Sequence, residues 1–182
     1  SQSGNVVCDY GSPGEYDIAI TGTYPYMSDG NTGNNEDRNK IIEIKQWGNI
    51  EWQRMSGMFT SSDIGSISAS DAPDLSNVTN ISTMFSGTSN FNSNINHWDT
   101  SNVTNMFSLF SNTSAFNQPL SNWNVGAVLT MENMFLNATA FNQPLNDWDV
   151  SSVTTMYFMF GQAVAFNQPL SDWDTSSVVN MQ

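Results

Sequence analysis

Four aspartates in two neighbouring repeats, Asp147, Asp149, Asp172 and Asp174, are the side chains that spacing best places to act together. Each pair flanks a tryptophan, Trp148 or Trp173, and the second pair stands at the same place in its repeat as the first. If the repeats stack, the four carboxylates converge, and like charges on adjacent strands repel. A hard cation such as Ca²⁺, which takes several oxygens, relieves that repulsion; hydrogen bonds from nearby backbone amides, or plain exposure to water, are the alternatives. The same carboxylates are the candidate contacts to a binding partner. No other constellation suits chemistry: the chain has one His, His97, and one Cys, Cys8, far from it, with no Gly-rich phosphate loop and no metal-ligand spacing. The paired carboxylates recur as a ladder and not as one asymmetric pair in a pocket, so the chain reads as a non-enzyme with no cofactor other than that Ca²⁺.

What positions these residues is a phrase that returns at a fixed interval: Phe116-Asn-Gln-Pro-Leu120, Phe141-Asn-Gln-Pro-Leu145 and Phe166-Asn-Gln-Pro-Leu170, with a weaker copy, Phe91-Asn-Ser-Asn-Ile95. A fixed period of this length marks an array in which each unit stacks on its neighbours. The aligned copies give a tryptophan column, Trp98, Trp123, Trp148 and Trp173, into which Trp47 also falls, and a valine column from Val78 to Val178. Methionine and phenylalanine follow the valine at 3, 3, 1 spacing, as in Val128, Met131, Met134, Phe135, which predicts one face of a short helix. Leu120, Trp123 and Val125 predict a short strand with Trp and Val inward. Ser76, Ser101, Ser151 and Ser176 stand two residues before the valine, as helix N-caps. The predicted fold class is therefore an α/β repeat solenoid, one short strand and one short helix per coil, with Trp on Trp and Met on Met in ladders. Ordering one coil costs about 1–2 kcal/mol per residue in backbone entropy, so a coil alone does not fold and stacking supplies the difference. Residues 60–75 break the pattern, with Pro73 where a Trp is expected, and read as an irregular, bulged coil. Asn117, Asn142 and Asn167 suggest an amide ladder. Methionines can hold copper(I), but Ile81 and Leu109 replace them in the same columns, which points to a core.

The balance of 17 acidic against 4 basic side chains gives a net charge of −13, and from Met55 onward there is no Lys or Arg. Such a surface repels phosphates, which argues against nucleic acid and anionic bilayers as partners. No apolar run is long enough to span a membrane. Cys8 alone builds no disulfide framework; it reads as a plain buried thiol or as a partner to a cysteine elsewhere. Sequons occur at Asn77, Asn80, Asn102, Asn112 and Asn137, and in a secreted eukaryotic chain Asn112 and Asn137, on predicted turns, would be the better acceptors. Residues 1–27, with alternating Tyr16, Ile18 and Ile20, read as a short β segment, 28–39 as a polar linker and 40–182 as the repeat array, its last unit unfinished.

At these residues the chain resembles the BspA-like bacterial surface family of leucine-rich-repeat proteins, whose unit looks like Phe-Asn-Gln-Pro-Leu-x-x-Trp-Asp-Val-Ser-x-Val-Thr-x-Met-x-x-Met-Phe; Phe141 to Phe160 follows it closely. Pro73, Gly126, Leu129 and Asn124 depart from it. Residues 10–22 are similar to the closing strands of PKD-type immunoglobulin-like modules. The resemblance implies a secreted or cell-surface repeat module, without catalysis, that mediates adhesion by binding an extracellular protein or glycan. The alternative is a structural spacer or self-associating block of a surface filament. A third option, an ice or mineral binder, is prompted by the richness in Thr, Ser and Asn.

Overall fold

In a computed structural model the described residues are 14 and 40–181; the expected β segment over 1–27, the linker over 28–39 and Cys8 lie, Gly14 apart, outside them. The predicted stacking is present, but the predicted elements are not. Among the described residues the only strands are β1 (Glu43–Ile44) and β2 (Ser66–Ile67), paired in parallel with Glu43 opposite Ser66, and no α-helix occurs. The α/β solenoid of leucine-rich-repeat type is thereby overturned. Each coil is a succession of turns, joined to its neighbours by single parallel bridges that run Asn80, Asn105, Thr130, Thr155, Asn180.

Backbone conformation explains why the 3, 3, 1 spacing does not make a helix. Two residues per coil, four apart, lie in the left-handed region: Gly57 and Ser61, Thr83 and Gly87, Ser108 and Asn112, Asn133 and Asn137, Phe158 and Gln162. A right-handed helix needs negative φ throughout. The alternation sends successive amides in two directions. Met131, Asn133, Phe135 and Asn137 donate to the carbonyls of Thr155, Tyr157, Met159 and Gly161 in the next coil at 2.7–3.0 Å. Between them, Met134, Leu136 and Ala138 donate to carbonyls three residues back in their own coil, Met131, Asn133 and Phe135, at 3.0–3.1 Å. The same division recurs in the two preceding coils, after Val78 and Val103. A helix would close all these bonds internally and leave nothing to join coil to coil. Left-handed backbone costs about 1–2 kcal/mol for an ordinary L-residue. Gly and Asn tolerate it best, and they supply half of these positions: Gly57, Gly87, Asn112, Asn133 and Asn137.

The continuous ladder inside is phenylalanine, not tryptophan. Phe59, Phe85, Phe110, Phe135 and Phe160 stack at 5.6–5.7 Å, and Phe91, Phe116, Phe141 and Phe166 at 5.9–6.0 Å. The two columns interleave, with Phe135 and Phe141 4.0 Å apart. The indoles lean on this double column, as Trp123 does on Phe110 at 6.0 Å. Their N–H groups reach back into the preceding coil: Trp123 to the carbonyl of Ile95, Trp148 to Leu120 and Trp173 to Leu145. Methionines from Met55 to Met159 are buried, as a core reading requires.

The irregular coil is where expected. Pro73 is buried in the place of a Trp, and across it Trp47 and Trp98 meet edge to face, with ring centroids 5.4 Å apart. The carbonyl at the equivalent place before Trp98 belongs to Ser70 in that coil, and the Trp98 indole N–H has no hydrogen-bond partner among the described residues.

The asparagine ladder is also present. The side-chain oxygens of Asn92, Asn117 and Asn142 accept the backbone N–H of Asn117, Asn142 and Asn167 at 2.9 Å, and each also accepts the amide of the following Gln118, Gln143 or Gln168. Removing one rung by Asn142→Ala takes away both bonds to the next coil, from Asn167 and Gln168, and should cost about 1 kcal/mol in urea denaturation. Phe135→Ala empties a site ringed by Phe110, Phe141 and Phe160. It should cost about 3–5 kcal/mol in the same measurement.

Candidate functional site

The chain segment that follows each Phe-Asn-Gln-Pro-Leu phrase is a turn, not the predicted strand: Trp148 N–H donates to Leu145 and Trp173 N–H to Leu170. The inward and outward alternation survives without a strand, since Trp148 and Val150 are buried while Asp147 and Asp149 are not. Two such turns, stacked, form an open groove of about 280 Å³ lined by Asn146, Asp147, Trp148, Asp149, Val150, Asp172 and Asp174. All four aspartates singled out by spacing are brought together here.

Their chemistry is set by what they accept. Asp149 Oδ1 takes the backbone N–H and hydroxyl of Ser151 at 3.1 and 2.6 Å, and Asp174 Oδ1 takes the N–H of Ser176 at 3.0 Å. Asp74 and Asp99 do the same for the N–H groups of Ser76 and Ser101, and Asn124 for Gly126. The serines read as helix N-caps are thus the donor ends of Asx-turns, a local alternative to helix initiation. Hydrogen bonds from the serine side chain first, and then from its backbone amide, hold the carboxyls of Asp74, Asp99, Asp149 and Asp174 below their ordinary value. Asp174 opposes this at Asp149 by like-charge repulsion. In the neighbouring column Asp172 forms a reciprocal pair with Asn146: its backbone N–H donates to Asn146 Oδ1 at 3.2 Å and its Oδ2 accepts the Asn146 amide at 2.5 Å. Among the described residues no three His, Cys, Asp or Glu side chains are grouped to hold a metal ion.

One acidic site had no signal in the repeat. Asp71, in the coil that breaks the pattern, accepts the N–H groups of Trp47 at 3.0 and 3.2 Å and of Gly48 at 2.7 Å, and its backbone carbonyl lies 3.3 Å from His97 Nε2. The Trp47 amide above all, helped by that of Gly48, draws its carboxyl down against a desolvation penalty. The sequon asparagines are largely engaged. Asn137 Nδ2 donates to Asn112 Oδ1 at 2.8 Å, Asn112 Nδ2 to Ser111 Oγ, Asn102 Nδ2 to the Ser76 carbonyl, and Asn80 Oδ1 accepts from Ser82; Asn77 is exposed. No helix of the described residues is long and apolar enough to cross a membrane.

A family model described as "Mycoplasma protein of unknown function, DUF285" matches residues 53–163 and 127–182. No curated protein and no solved structure matches the chain.

The lowered carboxyls imply a pH dependence with a definite sign. A group whose folded pKa lies below its unfolded value contributes stability that is complete above the unfolded value and is lost as pH falls through the folded one. The melting midpoint should therefore hold above about pH 5 and fall progressively below the ordinary aspartate value of 3.8. In Asp99→Asn, which keeps the turn as Asn124 does, the fall should be shallower, whereas Asp99→Ala should lower the midpoint at every pH above that range.

Proposed function

We propose, from the premise that this chain belongs to the DUF285 family, a family associated with BspA-like surface proteins, that it is a non-catalytic module displayed at a cell surface or secreted. Its task is adhesion, through an extracellular protein or glycan. The observation that carries this reading is the division between an interior used wholly for stacking and an exterior that repeats outward columns coil after coil. Such a body has much presented surface and little enclosed volume, which suits binding to something extended. The acidic groove of Asp147, Asp149, Asp172 and Asp174 is its proposed contact. The likeness to BspA-like units in Phe141 to Phe160, and that of residues 10–22 to PKD-type modules, supports placement outside the cell by analogy of sequence.

The alternative, a spacer or building block of a surface filament, draws on the same stacked repeats.

Beads coated with the chain and passed over immobilised extracellular-matrix proteins and glycans should be retained on at least one surface. A variant with Asp147→Asn, Asp149→Asn, Asp172→Asn and Asp174→Asn together should lose that retention. Equal retention of the variant would remove the groove as the contact. Failure on every surface, together with ordered fibres seen by light scattering of the chain alone, would replace adhesion by the filament reading.

A further inference from the structure

Several kinds of rung tie the later coils together, and each begins at the coil of Trp98 and not before it. The run of single parallel bridges starts at Asn80, and the backbone bonds of the column Thr79, Thr104, Leu129, Thr154 start at Thr79. The amide ladder starts at Asn92; the preceding place in that column is Ile67, whose side chain has no acceptor to offer. The indole bonds start with Trp123, because the Trp98 N–H, in a side chain 2% exposed, has no partner among the described residues.

Residues 40–75 are instead tied among themselves. The amides of Gly65, Ser66, Ser68 and Ala69 donate to the carbonyls of Ile42 and Ile44 at 3.0–3.4 Å, and Glu51 bridges Asp74. Asn96 turns its side-chain oxygen forward to the Asn122 amide, whereas Asp71, which holds the same place one coil earlier, turns its carboxylate back to Trp47 and Gly48. Between this body and residues 76–181 the bonds gather on one edge: Gly57, Phe59 and Ser61 donate to the carbonyls of Ser82, Met84 and Ser86 at 2.7–2.9 Å, and Thr60 Oγ1 donates to the Thr83 carbonyl. Away from that edge the joint rests on the Ile67 N–H to Ser93 Oγ bond at 2.8 Å and on His97 Nε2, 3.3 Å from the Asp71 carbonyl.

We infer that residues 40–75 swing as one body against residues 76–181 about the edge at 57–61, opening on the side of Pro73 and Trp98. A seam crossed by few bonds opens at lower free energy than the fold as a whole, and packed bodies move about such seams. Closure buries the Trp98 N–H unpaired, a cost that opening removes by admitting water. The stack of Phe59 on Phe85, 5.6 Å apart beside the edge, stays closed while the contact of Trp47 with Trp98 parts. The groove at Asp147 to Asp174 lies wholly in the second body and keeps its shape.

The test is the distance distribution between two spin labels, measured by pulsed electron resonance on the whole chain carrying Cys8→Ser. Labels on Ala72→Cys and Asn122→Cys span the joint; labels on Asn102→Cys and Ser152→Cys span the same number of coils inside the second body. The first pair should give a broader distribution that reaches longer distances. Removing both bonds of the open side with Ser93→Ala and His97→Ala should broaden it further without changing the second pair. If the Ala72 variant fails to fold, Ser70→Cys, at an exposed neighbour, serves in its place. Equal widths for the two pairs would overturn the proposal, as would a first pair unmoved by the double substitution. Broadening of both pairs alike would overturn it as well, because the whole stack would then be loose.

Discussion

The stack depends on a division of labour among backbone amides. In the stretches that follow Val78, Val103 and Val128, every second N–H bonds forward to the next coil and the ones between bond back within their own. Neither set alone would serve. Bonds confined to the coil would give an isolated turn too short to persist, and bonds only between coils would demand long extended strands. The division goes with two left-handed residues per coil, so a conformational cost is accepted at each coil in return for pairing backbone amides that are otherwise buried.

With the coils held in register, side chains repeat their environment at every step. That is why one phenylalanine column runs unbroken from Phe59 to Phe160 past the irregular coil, why a second joins it from Phe91 to Phe166, and why the asparagine ladder has the same 2.9 Å rung three times. The irregular coil shows the converse. Where Pro73 replaces a Trp, the indole network closes across the gap, Trp47 against Trp98, but the indole N–H of Trp98 lacks the carbonyl that its successors find.

The surface is what these constraints leave outside. Aspartates at the turn corners are held by Ser amides and hydroxyls, and two successive corners make the groove at Asp147 to Asp174. Their first role is therefore to shape the turn. A partner that approached them would meet Asp149 and Asp174 already oriented by their serines, which lowers the cost of ordering on contact.

Much of this was legible in the residues and some was not. The period, the inward identity of Trp, Val, Met and Phe, the amide ladder, the irregularity near Pro73 and the convergence of four aspartates all follow from repetition, because a fixed spacing reports which positions face the same way. The backbone path does not follow. Apolar residues at 3, 3, 1 spacing share a face in a helix, and they also share one in a chain that alternates right- and left-handed residues; Asn112, Asn133, Asn137 and Gly87 at the left-handed positions were the available hint. Sequence alone thus determined that the chain is a stack with an aromatic interior and an acidic exterior. Tertiary structure decided that its coils are turns, that its ladder is phenylalanine and that its serines close Asx-turns. The physical reason is that facing inward is a local property of spacing, whereas the direction of an amide is decided by a carbonyl one coil away.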